Sequence, residues 1–170
     1  MALDLQQGFN LYTDDVNHFL ALTKLKKPAL EDETVDFRPG GGTMEFEVAV
    51  GVKKLALPFT LKNVSVPLLG LVGLNHGIRK RFTAYGSIVD EHDGTESQEV
   101  LTVRGRLMKA EQADLQPKEI ADFDYAVGAI TYYHLVRDGV TIHRLNAQTN
   151  EQIINGVDQN ATRNRLLAIR

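Results

Sequence analysis

Five histidines, a few closely spaced carboxylates and one run of three glycines are the residues of this sequence whose types suit chemistry. His134 and His143 flank Arg137-Asp138-Gly139-Val140, and Asp-Gly is a favoured centre of a two-residue hairpin turn. Carrying that register back sets His134 opposite His143 on one face of the hairpin. Two such imidazoles suit zinc, but a zinc site takes at least a third protein ligand. None is fixed nearby, so the expectation is a surface or interface pair and no metal. Asp90, Asp93, Glu96 and Glu99 offer hard oxygen ligands. An EF-hand calcium loop needs acids at fixed alternate positions and flanking helices. The flanks here alternate like strands, which predicts a solvated acidic hairpin tip. Asp14-Asp15 and the pair Asp122/Asp124 resemble paired acid–base carboxylates, yet acids at i, i+2 of a strand usually share one wet face. Gly40-Gly41-Gly42 after Pro39 could form an anion nest, but no lysine or following helix completes a phosphate site. A flexible loop is expected there. Gly86-Ser87 lacks the G-x-S-x-G elbow, and no P-loop or G-x-G-x-x-G occurs. No catalytic residue and no cofactor site are expected.

The elements that would position these residues are mostly strands. Met44, Phe46, Val48, Val50 and Val52 alternate onto one face, and Leu55, Leu57, Phe59 and Leu61 repeat the period of two. Between Val64 and Leu74 the alternation stops. Ser65 as N-cap and Pro67 in the first turn predict one short helix, closed by Asn75-His76-Gly77. Alternation resumes from Ile78 to Ile88, returns from Val100 to Met108, and runs longest from about Glu119 to Val136. Val140 to Leu145 pairs back across the Asp138-Gly139 turn. After Asn155-Gly156-Val157-Asp158 the chain ends in a basic tail with Arg163, Arg165 and Arg170. This predicts a mainly β single domain over residues 1–170, an antiparallel barrel or sandwich with one short flanking helix. A strand near 18 residues, apolar in part on both faces, is an awkward edge that invites pairing with another chain.

Composition narrows the function classes. With 19 Lys+Arg against 22 Asp+Glu, the net charge is −3, which argues against a general nucleic-acid binder that neutralises many phosphates. The absence of cysteine excludes disulfides, thiolate metal sites and a cysteine nucleophile. The opening Met1-Ala2-Leu3-Asp4 has no basic and apolar export signal, and Val64 to Leu74 is too short to span a bilayer, so no membrane anchor is expected.

Arg104-Gly105, Lys109, Tyr132-Tyr133, Arg137-Asp138-Gly139, Asn146 and Ile154-Asn155-Gly156-Val157-Asp158 follow one another in an order and spacing that resembles a known family. Arg163, Asn164 and Leu166 extend the match, and Asn10-Leu11-Tyr12 and Phe37-Arg38-Pro39-Gly40-Gly41-Gly42 with Met44 carry it toward the N-terminus. The family is the major tail tube proteins of contractile phage tails, with the similar tubes of R-type bacteriocins. The resemblance implies a structural, non-enzymatic subunit of hexameric rings that stack into an inner tube. It implies a surrounding sheath, a tape-measure protein and a baseplate as partners, and DNA passing through the lumen without specific binding. It places the chain in the tail of a virion assembled in the host bacterial cytoplasm. By the same resemblance Phe37, Arg38, Gly40, Gly41, Gly42 and Met44 are inter-subunit contacts on an arm around residues 34–44, and residues 155–170 form a C-terminal tail. A conduit should not hold DNA, so a polar to acidic lumen is expected, with Asp122 and Asp124 as candidates and Arg79-Lys80-Arg81 on outer or inter-subunit surfaces. The alternatives are a bacteriocin or type VI-like tube without a genome, and a small β-barrel binding protein or metal-dependent enzyme using His134 and His143.

Overall fold

The computed structural model describes residues 3–63 and 65–169. Met1 and Ala2 of the chain start, Val64 of the helical stretch and Arg170 of the basic tail lie outside the described residues. In chain order the elements are β1 (Asp4–Thr13), β2 (Val16–Asn17), β3 (Leu22–Leu25), β4 (Asp32–Phe37), β5 (Phe46–Val52), β6 (Leu57–Lys62), α1 (Val66–Leu69), β7 (Lys80–Asp90), β8 (Glu96–Gln112), β9 (Asp122–Arg137), β10 (Val140–Asn146), β11 (Glu151–Ile154), β12 (Val157–Asp158) and α2 (Ala161–Leu166). All pairings are antiparallel. The main sheet runs β12-β11-β10-β9-β8-β7-β1-β2, and β6 joins β9 while carrying β3.

The two long strands, β8 and β9, let one sheet serve as two layers. The first half of β9 pairs with β6, and its second half with β10, while β8 follows it along both halves. The turn between the halves comes where the β8–β9 register slips beside Gly105 and again beside Met108. Gly105 is required at this bend, because a Cβ there would stand 2.7 Å from both the Gly128 carbonyl oxygen and Val127 Cγ1. Bulges of this kind bend a strand and sharpen its twist. The long strand expected to be an awkward edge is thus an interior strand, flanked on both sides.

Alternation explains the core. Phe82 and Ala84 of β7, Leu101, Val103 and Leu107 of β8, Phe123, Tyr125, Val127 and Tyr133 of β9, and Leu57, Phe59 and Leu61 of β6 all turn inward and are buried. Phe59 stacks on its cross-strand partner Tyr125 at 5.3 Å and reaches Phe82 of β7, which is not a neighbouring strand, at 6.4 Å. Each such side chain, fully buried, stabilises by about 1.5–3 kcal/mol. Leu68 of α1 closes one side of this cluster, with Pro67 in the first turn as expected, although Ser65 makes no side-chain cap hydrogen bond. The helix is only one turn long and ends at Leu69. A second helix, α2, lies in the C-terminal tail with none of its residues buried.

The Asp138-Gly139 turn forms as expected, with Arg137 opposite Val140 and positive φ at both central residues, 49° and 78°. Asn155-Gly156 makes a second turn of the same kind, at 49° and 83°, joining β11 to β12. Positive φ at both positions matches the right-handed twist of the strands, which is why Asp-Gly and Asn-Gly recur there.

Candidate functional site

Strands β4 and β5 form a sheet of their own, and every residue of both is exposed. Their register sets Val35 opposite Val48 and Phe37 opposite Phe46. That row is one face of the hairpin, and the Phe37 and Phe46 rings meet edge to face at 5.6 Å. Phe37 is 52% exposed, Phe46 47% and Met44 74%. The opposite face carries Asp36 against Glu47 and Thr34 against Ala49. At the tip, Gly42 N–H donates to the Pro39 carbonyl at 2.9 Å and Arg38 Nε–H to the Gly42 carbonyl at 3.2 Å. At the base, Lys53 N–H donates to the Glu31 carbonyl at 2.9 Å, and the Lys53 ammonium pairs with Glu31 Oε2 at 3.0 Å. That hydrogen bond and charge raise the Lys53 pKa. A two-stranded hairpin alone is marginal in water. The sequence candidates Phe37, Arg38, Gly40, Gly41, Gly42 and Met44 therefore come together at the end of an amphipathic hairpin whose apolar face is exposed, with no cover among the described residues.

A second open surface is the outer edge of β1. Only Tyr12 and Thr13 of this strand pair with β2, so among the described residues most of its length carries β7 on one side and no strand on the other. Leu3, Leu5 and Phe9 are exposed along it. Sequence reading did not identify this strand, because its register slips between Gln6 and Gly8 and the alternation is lost there.

The histidine pairing expected from the hairpin register does not form. The β9–β10 register shifts between Thr141 and His143, so the residue opposite His134 is Arg144, and His143 faces Leu135. Successive residues point to opposite faces, so the two imidazoles are separated by the sheet. His134 Nε2 instead shares a hydrogen bond with the Thr141 hydroxyl at 3.0 Å. Burial first, and the Arg144 charge second, push its pKa below the usual histidine value. Among the described residues no three His, Asp or Glu side chains converge on a metal-sized space.

The carboxylates hold their own surroundings. Asp90 and Asp93 accept backbone N–H bonds from His92 and Thr95 at 2.9 and 2.8 Å, which orders the acidic tip between β7 and β8. The Thr95 hydrogen bonds lower the Asp93 pKa. Asp14 pairs with Lys80 at 3.2 Å and accepts the Arg81 backbone N–H at 3.1 Å. Asp122 and Asp124 share the outer face of β9, while Phe123 and Tyr125 between and beyond them are buried. Asp122 pairs with Lys62 at 2.8 Å, and the Thr60 hydroxyl donates to Asp124 at 2.5 Å.

Sequence reading set Arg79-Lys80-Arg81 on outer or inter-subunit surfaces and drew Arg104 only into the family resemblance, without bringing Arg81 and Arg104 together. Arg81 of β7 stands directly opposite Arg104 of β8. With Asp14, Gly77, Arg79, Thr131 and Gln148 they line a groove of about 330 Å³. The Arg104 guanidinium lies 5.8 Å from the centre of the Tyr132 ring. The signal was present as arginines at outward positions of two alternating runs, but their pairing depends on a register the sequence leaves open.

The family model described as phage tail tube protein FII matches residues 6–167. No curated protein matches the chain in sequence. Among solved structures, a chain of the sheath/tube terminator of an extracellular contractile injection system, PVC, in its extended state, is similar in fold. Its TM-score is 0.55 at 12% identity, over 77% of this chain and 93% of that one. A chain of the PVC sheath-tube complex in the extended state gives 0.52 at 11% identity, over 76% and 86%. A chain of the anti-feeding prophage baseplate gives 0.50 at 13%, over 75% and 90%.

Proposed function

Because this chain belongs to the phage tail tube protein FII family, we propose that its copies join head to tail into hexameric rings, and that the rings stack into the inner tube of a contractile tail. The observation that carries this reading is the β4–β5 hairpin, with an apolar face bare to water and no core of its own. A contact between two different patches closes into a ring when the rotation between copies completes a full turn. The hairpin supplies one patch, burying Phe37, Phe46 and Met44 on a neighbour, with Arg38 and Gly40 to Gly42 shaping the tip. The open edge of β1 supplies another, since an unpaired strand accepts a neighbour's backbone.

The role is structural, with no reaction of its own. A sheath surrounds the tube and a baseplate closes one end, a reading supported by the words sheath, tube and baseplate in the names of similar structures, and a tape-measure protein occupies the tube during assembly. DNA passes without specific binding. The face of β9 with Asp122 and Asp124 is assigned to the bore, because the lysines beside it, Lys62 and Lys109, are paired with carboxylates and leave no excess of cations to retain phosphates. Assembly takes place in the bacterial cytoplasm, and the finished tube belongs to the virion. Negative-stain microscopy and sedimentation of the purified chain at rising concentration test the reading. Rings or hollow tubes are expected, and a monomer at every concentration would overturn it.

A further inference from the structure

Among the described residues, four like-charged pairs stand directly opposite each other on neighbouring strands: Asp4/Asp90, Glu111/Asp124, Asp36/Glu47 and Arg81/Arg104. Such pairs destabilise a sheet unless another group offsets them. Two of them are offset within the chain. Arg137 pairs with Asp4 at 2.6 Å, and Lys109 pairs with Glu111 while Thr60 donates to Asp124. The other two are offset less. Among the described residues, Asp36 and Glu47 form no ion pair, and the cation at the hairpin base, Lys53, feels the Glu47 charge but gives its direct pair to Glu31. Among the described residues the Arg81 and Arg104 guanidiniums form no ion pair either, because Asp14, the acid that lines their groove, pairs through one oxygen with Lys80 and accepts the Arg81 backbone N–H through the other.

We propose that these two rows are halves of one contact between copies: the Asp36–Glu47 row of one hairpin docks in the Arg81–Arg104 groove of a neighbouring copy. The inference rests on the tube reading and gives the arm its target. Opposed residues on antiparallel neighbours hold their Cβ atoms about 4.5–5.5 Å apart, so both rows share one spacing. Two carboxylates meeting two guanidiniums at matched spacing form charge-assisted, bidentate bonds. Tyr132 beneath Arg104 steadies that guanidinium by its ring face without using its N–H donors. The geometry also divides the hairpin's work. Its acidic face enters the groove, which leaves the Phe37 and Phe46 face on the other side free to pack on a second surface of the assembly. A duplex phosphate would also suit two arginines, but the acidic row of matching spacing is present in this chain, whose net charge is −3.

Two charge-reversed chains test the contact. One carries Asp36→Lys and Glu47→Lys, the other Arg81→Glu and Arg104→Glu, and circular dichroism checks that each folds. Alone, each should need a concentration roughly tenfold or more above that of the unaltered chain to form sedimentable polymer, because like charges now meet. Mixed in equal amounts they should assemble near the unaltered concentration, since a reversed hairpin can then dock in a reversed groove, and an unreversed hairpin in an unreversed one, when the two chains alternate. Three results would overturn the contact while leaving the tube reading intact. These are variants that assemble alone like the unaltered chain, a mixture no better than its parts, or rescue only when all four changes share one chain, which marks a contact within a subunit. Unaltered tubes that retain a duplex oligonucleotide, lost with Arg81→Glu and Arg104→Glu and not rescued by the other chain, would make the groove a phosphate site instead. Failure of the unaltered chain to polymerise would overturn the tube reading itself.

Discussion

Replacing Phe37 and Phe46 together by alanine separates the stability of the subunit from the stability of the assembly. In the single chain these rings are 52% and 47% exposed and touch mainly each other at 5.6 Å. Roughly half of each ring is therefore left to bury on a neighbour. Full burial of a phenylalanine is worth about 1.5–3 kcal/mol, so the exposed half contributes about 1 kcal/mol per ring, and the pair about 2 kcal/mol per contact. At about 1.4 kcal/mol per tenfold, the concentration at which polymer first sediments should rise roughly thirtyfold. The folded monomer should change by no more than about 0.5 kcal/mol plus the lost ring pair, because the hairpin lies outside the core. Sedimentation across a dilution series reads the first quantity, and denaturant unfolding of dilute protein reads the second. A large loss of monomer stability with unchanged assembly would refute the reasoning, since it would mean that the rings are covered within their own chain.

Three other changes probe separate parts of the account. Gly105→Ala should destabilise the fold by about 1–3 kcal/mol in denaturant unfolding, because its Cβ would press on the Gly128 carbonyl and Val127 at 2.7 Å; an unchanged midpoint would show that the bend relaxes. Burial, and secondarily the Glu99 charge, raise the Tyr133 pKa from 10.0 to about 12. The folded state therefore holds its proton more tightly than the unfolded chain, and stability should be full below pH 10 and fall as pH rises from 10 toward about 12. Tyr133→Phe should flatten that alkaline loss when unfolding is followed against pH. Replacing His134 and His143 together by alanine should leave assembly and metal content unchanged by sedimentation and elemental analysis, whereas loss of a bound metal would revive the metal-site alternative.

The parts of the fold that were readable in sequence are those where apolar residues alternate over a run or turn residues mark its end. Phe46 to Val52 alternates although the whole strand is exposed, Phe82, Ala84 and Ile88 mark the inward face of β7, and Asp138-Gly139 announces its turn by residues that accept positive φ. Where a bulge intervenes, the period of two misleads. The slip between Thr141 and His143 moved His143 across the sheet, and the slip between Gln6 and Gly8 concealed β1. Strand β4, Asp-Glu-Thr-Val-Asp-Phe, was hidden by its three acids, which are tolerable only because the whole hairpin is exposed. Helix α2 buries no residue, so Ala161 to Leu166 carries no apolar stripe to recognise. The hairpin candidates from Phe37 to Met44 were found through a family resemblance, whereas Arg81 and Arg104 needed the β7–β8 register to bring them together.

The most direct test of the central claim is a cryo-EM reconstruction of the polymer formed by the unaltered chain. The account predicts sixfold rings in which each β4–β5 hairpin lies against another copy, with Phe37 and Phe46 buried in that contact. Hairpins projecting into solvent within an otherwise ordered tube would contradict it.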